Sequence, residues 1–115
     1  MRAICQGAKV YLWQGVVDMR MGHYRLSQLV AESLGVSISA GGYFVFLSRN
    51  RSRVKILYWD RDGYAIWQKG LEVGSFKVGR EDAVEVITEI DLEEILLGIE
   101  FSRIKFRKNQ INKIV

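Results

Sequence analysis

The chain of 115 residues has no proline, one cysteine, one histidine and no long apolar run. The missing proline diagnoses nothing, but each of the other scarcities excludes something. A lone cysteine, Cys5, rules out a disulfide within the chain and fits a reducing compartment. A lone histidine, His23, leaves no His/Cys set for a metal centre, which needs three or four ligands at workable spacing. Nothing positions Cys5 and His23 as a nucleophile and its base, and a single His near a helix start is more often a surface or capping residue. Gly41-Gly42 lacks the Lys-Ser/Thr that would complete a phosphate-cradling loop. No stretch approaches the roughly 20 apolar residues of a membrane helix, and residues 1–6 lack the apolar centre of a signal peptide. These absences predict a soluble, cytoplasmic protein without a cofactor, a metal or a membrane partner.

What is present is a strong segregation of charge. The formal net charge is only +4. Yet residues 47–61 carry Arg49, Arg51, Arg53, Lys55 and Arg61 against Asp60 alone. Residues 81–100 carry Glu81, Asp82, Glu85, Glu89, Asp91, Glu93, Glu94 and Glu100 with no base. From Ser102 onward Arg103, Lys105, Arg107, Lys108 and Lys113 meet no acid. Two basic patches attract polyanions; the acidic one suits a basic partner or the chain's own tail.

The element pattern centres on Phe44 to Leu71. Three runs rich in aromatic and β-branched residues, 44–47, 54–59 and 64–69, are separated by two polar breaks, which predicts an antiparallel meander. Asp62-Gly63 marks the second break as a tight hairpin, with Gly63 taking positive φ. The first break, Arg49-Asn50-Arg51-Ser52-Arg53, predicts a cationic loop. Upstream, residues 8–13 alternate as a strand, and Val16-Val17 fits a short extended piece. Leu26, Leu29, Val30 and Leu34 recur at helical spacing, predicting a helix over 21–34 with Asp18 as its N-cap and Gly35 ending it. Downstream, Phe76 and Val78 share a face and suggest a short strand, and 83–87 another. Thr88 with Asp91 forms a capping box for a helix from Glu89 to Leu97, with Leu92, Ile95, Leu96 and Ile99 as its apolar face and Gly98 as its stop. Its acids at Glu89, Asp91, Glu93 and Glu94 suit the positive end of the helix dipole. The tail alternates Ile104 and Phe106 with cations, as an edge strand or a basic arm. The reading is α+β: a mainly antiparallel sheet of five or six strands with two helices on one face. Residues 1–101 form one domain and residues 102–115 a basic C-terminal tail.

Each candidate site has a plain reading beside its functional one. Turn chemistry accounts for Asp60 and Asp62 ahead of magnesium binding. Asp18 and Arg20 read first as a helix cap with a local ion pair, and second as an arginine held ready for phosphate. Arg49, Arg51 and Arg53 could be a solvated turn that keeps the chain soluble. Three arginines with no acid among them, continued by Lys55, favour phosphate contact, for which the guanidinium fork is well suited. Trp13, Trp59 and Trp67 read first as core, although Trp59 shares a strand face with Arg53, Lys55 and Leu57 and could stack on a base.

Put together, these residues resemble a known family. Val16-Val17-Asp18-Met19-Arg20-Met21-Gly22 stands where its members have Thr-Asp-Met-Arg-Lys-Gly. Phe44-Val45-Phe46, Arg49-Asn50-Arg51 and Val54-Lys55-Ile56-Leu57-Tyr58-Trp59-Asp60 are similar to its Phe-Val-Phe and Ile-Lys-Val-Leu-x-Trp-Asp core. Gly63, Lys69, Leu71-Glu72 and Gly74-Ser75-Phe76 follow at the same spacing, and Thr88, Leu92, Leu96 and Gly98-Ile99-Glu100 are similar to its closing helix. The family is the TnpB-type, second-open-reading-frame accessory protein of the insertion sequence sixty-six family of bacterial transposable elements. The resemblance covers residues 8–101. Val17 and Met21 depart from the usual Thr and Lys, and the basic tail lies beyond the common core.

The resemblance implies a non-catalytic helper of transposition, working beside a separate transposase. The residues add how. DNA is the expected partner, bound with little sequence specificity through the phosphates by Arg49, Arg51, Arg53 and Lys55 and by Arg103, Lys105, Arg107 and Lys108. No base-reading element is recognisable. The alternative is an adaptor that docks on the transposase or another element-encoded protein through its acidic helix and strand edges, without touching DNA. Self-association is left open.

Overall fold

Tyr43-Phe44-Val45-Phe46-Leu47 is apolar at every position, so it cannot sit with one face in water. In the computed structural model, which describes residues 7–13, 15–78 and 85–97, this run is strand β2 and all five residues are buried. In chain order the elements are β1 (Val10–Leu12), α1 (His23–Leu34), a single 3-10 turn (Ile38–Ala40), β2 (Tyr43–Leu47), β3 (Arg53–Asp60), β4 (Gly63–Gly70), β5 (Glu85–Ile87) and α2 (Glu89–Leu96). They build one five-stranded sheet in the order β4-β3-β2-β1-β5. The meander is present as expected: β2, β3 and β4 pair antiparallel, with Leu47 opposite Val54 and Asp60 opposite Gly63. β1 pairs parallel with β2 and antiparallel with β5. The parallel step needs a long crossover, and α1 with the 3-10 turn supplies it.

The two helices lie on opposite faces, not on one. Val10, Leu12, Val45, Leu47, Val54 and Ile56 pack with Leu92 and Ile95 of α2. The alternate residues Phe44, Phe46 and Leu57 pack with Leu26 and Val30 of α1. A sheet whose central strand is apolar on both sides must be covered on both sides, and one helix on each meets that demand.

Several local expectations hold. Gly35 has φ 67° and its N–H donates to the Ala31 carbonyl, closing α1. The capping box is complete: Asp91 N–H donates to Thr88 Oγ1, and Thr88 N–H to Asp91 Oδ2, each at 3.1 Å. Others are corrected. α1 starts at His23 with Gly22 at its N-cap, and Asp18 does not cap it. Residues 16–17 belong to no strand. Residues 75–78 also form none, although Phe76 and Val78 are buried in the α2-side core. At the β3–β4 turn the positive φ falls on Arg61, at 56°, and not on Gly63. The strand expected over 83–87 is seen at Glu85–Ile87, and α2 ends at Leu96; Gly98, Ile99 and the whole tail lie outside the described residues.

Candidate nucleic-acid interface

The β2–β3 connection is a cross-braced turn. Ser48, Asn50 and Ser52 are short polar residues that can bond to nearby backbone; Ser48 and Asn50 do so, and Ser52 bonds to the Asn50 side chain. Asn50 Oδ1 accepts from Ser48 Oγ at 2.9 Å, from Ser52 N–H at 3.1 Å and from Ser52 Oγ at 2.8 Å. Ser48 Oγ in turn accepts from Arg53 N–H at 3.1 Å. The backbone closes with Arg51 N–H on the Ser48 carbonyl at 2.9 Å and Ser48 N–H on the Arg53 carbonyl at 3.0 Å. From outside, Leu71 N–H binds the Ser52 carbonyl at 2.8 Å and Phe76 N–H the Arg51 carbonyl at 2.7 Å. The segment after β4 thus docks on the turn and fixes it to the core through Phe76. Arg51 adopts a left-handed φ of 59°, a conformation usually left to Gly or Asn.

This scaffold displays cations. Arg49 and Arg53 are exposed and Arg51 is half-buried. Arg53 begins β3, on the face shared with Lys55, Leu57 and Trp59, as strand alternation requires. Lys55 is half-buried, and its Nζ donates to the Met21 carbonyl at 2.9 Å, tying β3 to the approach of α1. That bond uses one of the three ammonium donors. Met19, Arg53, Lys55, Gln68, Lys69 and Gly70 line a cleft of about 340 Å³, with no acid among the described residues of its wall. Lys69 was not among the residues expected to bind. Its distant partner, the Leu96 carbonyl at 3.4 Å, ties β4 to the end of α2.

Asp18 and Arg20 form a tight local pair. Arg20 Nε donates to both carboxylate oxygens, at 3.0 and 3.2 Å, and Nη2 to Oδ2 at 2.7 Å. The Arg20 backbone N–H adds a fourth bond at 2.9 Å. The guanidinium bonds, then the backbone bond, hold the Asp18 carboxyl well below the usual carboxylate range, and the same contact raises Arg20. The pair is solvent-exposed, so it orders the 18–20 turn more than it stabilises the fold.

Of the tryptophans, Trp13 lies tilted against Phe46, and Trp67 packs on the α2-side core. Trp59 is half-buried; its Nε1 donates to the Arg61 carbonyl at 3.0 Å and its ring meets Tyr64 edge-on. Arg103, Lys105, Arg107 and Lys108 lie outside the described residues, as does Cys5. Among the described residues no three His, Cys, Asp or Glu side chains gather at a metal-binding distance, and no helix is long and apolar enough to cross a membrane.

A family model described as "IS66 Orf2 like protein" matches residues 8–106. The chain belongs to that family. Membership in this IS66 Orf2-like family supports an accessory role in transposition, in a family not known as catalytic. Two proteins of Sinorhizobium fredii (strain NBRC 101917 / NGR234) are similar to it over most of their length. One, "Uncharacterized protein y4hO", is 31% identical over 97 residues, covering 84% of each chain. The other, "Uncharacterized protein y4jC", is 28% identical over 102 residues, covering 87% of this chain and 86% of that protein. No solved structure matches the chain significantly. The motif around Asp18 and Arg20 and the cationic turn both fall inside the matched span.

Proposed function

We propose that this IS66 Orf2-like protein is a non-catalytic, cytoplasmic accessory factor that holds DNA by its phosphates during transposition. The observation that carries this reading is the β2–β3 turn: Arg49, Arg51 and Arg53 stand on a hydrogen-bonded frame with no acid within it. A braced turn has its backbone already ordered, so binding orders the arginine side chains but not the loop, which favours it over a floppy cationic loop. Lys55 extends the positive cleft, and the tail cations Arg103, Lys105, Arg107 and Lys108 add to the same sign of charge. Contacts of this kind position a duplex and carry little sequence information, so element-end specificity would come from a partner such as the transposase.

The alternative is an adaptor on the transposase. What favours it is α2, where Ile90 and Leu97 stand exposed beside Glu93 and Glu94.

The two readings part in a titration of DNA at several salt concentrations, with random and element-end duplexes. Phosphate contact requires affinity for both duplexes, falling by roughly two to three orders of magnitude between ~50 and ~200 mM salt if about 4–6 phosphates are neutralised. A flat titration at ~50 mM salt, with capture of the transposase by the isolated protein, would establish the adaptor instead.

A further inference from the structure

We propose that Tyr24 and Tyr64, backed by His23 and Trp59, form a platform on which unpaired bases of single-stranded DNA stack. This rests on the nucleic-acid reading above and names the form of nucleic acid. The four residues come from three elements. Trp59 of β3 and Tyr64 of β4 are register partners across the hairpin, with ring centroids 5.2 Å apart at 86°. His23 opens α1 and lies nearly flat on Tyr64, 5.2 Å away at 27°. Tyr24 closes the group, 4.3 Å from His23 and 5.9 Å from Tyr64. Only Trp59 belongs to the α1-side core; His23, Tyr24 and Tyr64 belong to neither core cluster. Core packing therefore does not explain them. Tyr24 is 69% exposed and Tyr64 41% exposed, which leaves ring surface facing solvent.

Charge selects the occupant. On this face of the β3–β4 ribbon the side chains are Arg53, Lys55, Leu57 and Trp59 on one strand and Gly70, Gln68, Ile66 and Tyr64 on the other, without a carboxylate. Arg25 and Arg61 lie next to the ring residues in sequence and are exposed. Of the acids close in sequence, Asp18 is held by Arg20, Asp60 alternates to the opposite face with Arg61 Nε 4.0 Å from it, and Asp62 stands exposed in the β3–β4 turn. Aromatic faces joined to a cationic track are what single strands use, because every base offers a π-face while a duplex keeps its bases stacked inside. Six residue steps separate Arg53 from Trp59, about 20 Å at strand rise; Leu57 and Ile66 between them are packed under α1, so platform and turn are two separate contacts within reach of one short run of nucleotides. Trp59, fixed by its bond to the Arg61 carbonyl, supports Tyr64 from behind.

The test compares a labelled oligo-dT with a mixed-sequence duplex at low salt. The proteins are the full chain, Tyr24→Ala/Tyr64→Ala, Tyr24→Phe/Tyr64→Phe and Arg49→Ser/Arg53→Ser, each checked for folding by circular dichroism. The Ala pair should lose roughly tenfold in oligo-dT affinity and keep its duplex affinity, the size expected for losing one or two stacked bases. The Phe pair should bind oligo-dT like the full chain. If the Ala pair binds oligo-dT as tightly as the full chain, or loses duplex affinity equally, the platform is overturned. The phosphate reading survives either result if the Arg pair still weakens both ligands. If the unaltered chain binds neither ligand, both inferences fall together.

Discussion

Asn50 holds the cationic turn together through a single oxygen. Its Oδ1 accepts from Ser48 Oγ, Ser52 N–H and Ser52 Oγ, and Ser48 Oγ in turn accepts from the Arg53 N–H at the start of β3. Asn50→Ala should cost about 1–2 kcal/mol, because each net hydrogen bond contributes about 1 kcal/mol and water replaces part of the loss at an exposed site. Thermal unfolding measures that cost. The same variant changes no charge, so a severalfold loss of duplex affinity at an unchanged salt slope would trace to the lost frame alone. Asp18 offers the reverse test. Its lowered pKa means that the contact with Arg20 is present above the ordinary carboxylate pKa and is lost as pH falls through the depressed value. At neutral pH, Asp18→Asn should leave the melting temperature nearly unchanged, since exposed pairs contribute little. It should also tighten low-salt duplex binding by freeing Arg20; no change in affinity would place Arg20 away from the DNA. The capping box at Thr88 and Asp91 was legible because both partners are local and the alternatives few. Asp18 was misread as a cap because Arg20 competes for the same carboxylate with both its guanidinium and its backbone N–H. A motif that fits two short-range uses does not declare which one wins.

Among the elements, β2 decides the architecture. It is buried on both faces, and α1 and α2 pack on opposite sides of it in clusters that share no residue. Leu26→Ala in α1 and Leu92→Ala in α2 each empty a fully buried site and should each cost about 2–4 kcal/mol. With the sheet between them, the two losses should add to within ~0.5 kcal/mol in the double variant, as separate sites do. Urea unfolding of the two single variants and the double checks this; a coupling well above that margin would mean a shared core. The meander was legible because its apolar runs and polar breaks are local. The continuous apolar run at 43–47 required cover on both sides, which the reading of both helices on one face overlooked. Alternation fixes the parity of a strand; it does not say which distant helix closes which face. The strand expected at 76–78 failed for a related reason. Phe76 is buried, but its N–H is spent on the Arg51 carbonyl of the turn and enters no ladder. The aromatic platform was invisible in the sequence because His23, Tyr24, Trp59 and Tyr64 come from elements whose meeting only the fold decides.

At the scale of the molecule, the net charge of +4 conceals a basic turn, an acidic segment before and along α2, and a basic tail. Two separated cationic segments contribute separately to the salt dependence of DNA binding, because each phosphate neutralised adds about −0.9 to the slope of log affinity against log salt. If the turn and the tail both touch DNA, neutralising about 4–6 phosphates between them, either removed alone should take away only part of the slope. Removing residues 102–115 deletes five bases and no acid and so moves the net charge from +4 to −1. The truncated chain should bind more weakly with a slope shallower by about 2 to 3, and it should keep the dependence due to the turn. Arg49→Ser/Arg53→Ser in the full chain should lower the slope by about 1 to 2. Both changes together should weaken binding and flatten the slope more than either alone, leaving what Arg51 and Lys55 contribute. The measurement is a salt series of duplex titrations on the four proteins. A truncation that weakens affinity without altering the slope would mean that the tail acts through the folded domain and not on phosphates. An unchanged slope in the Arg49/Arg53 variant would move DNA contact off the turn entirely.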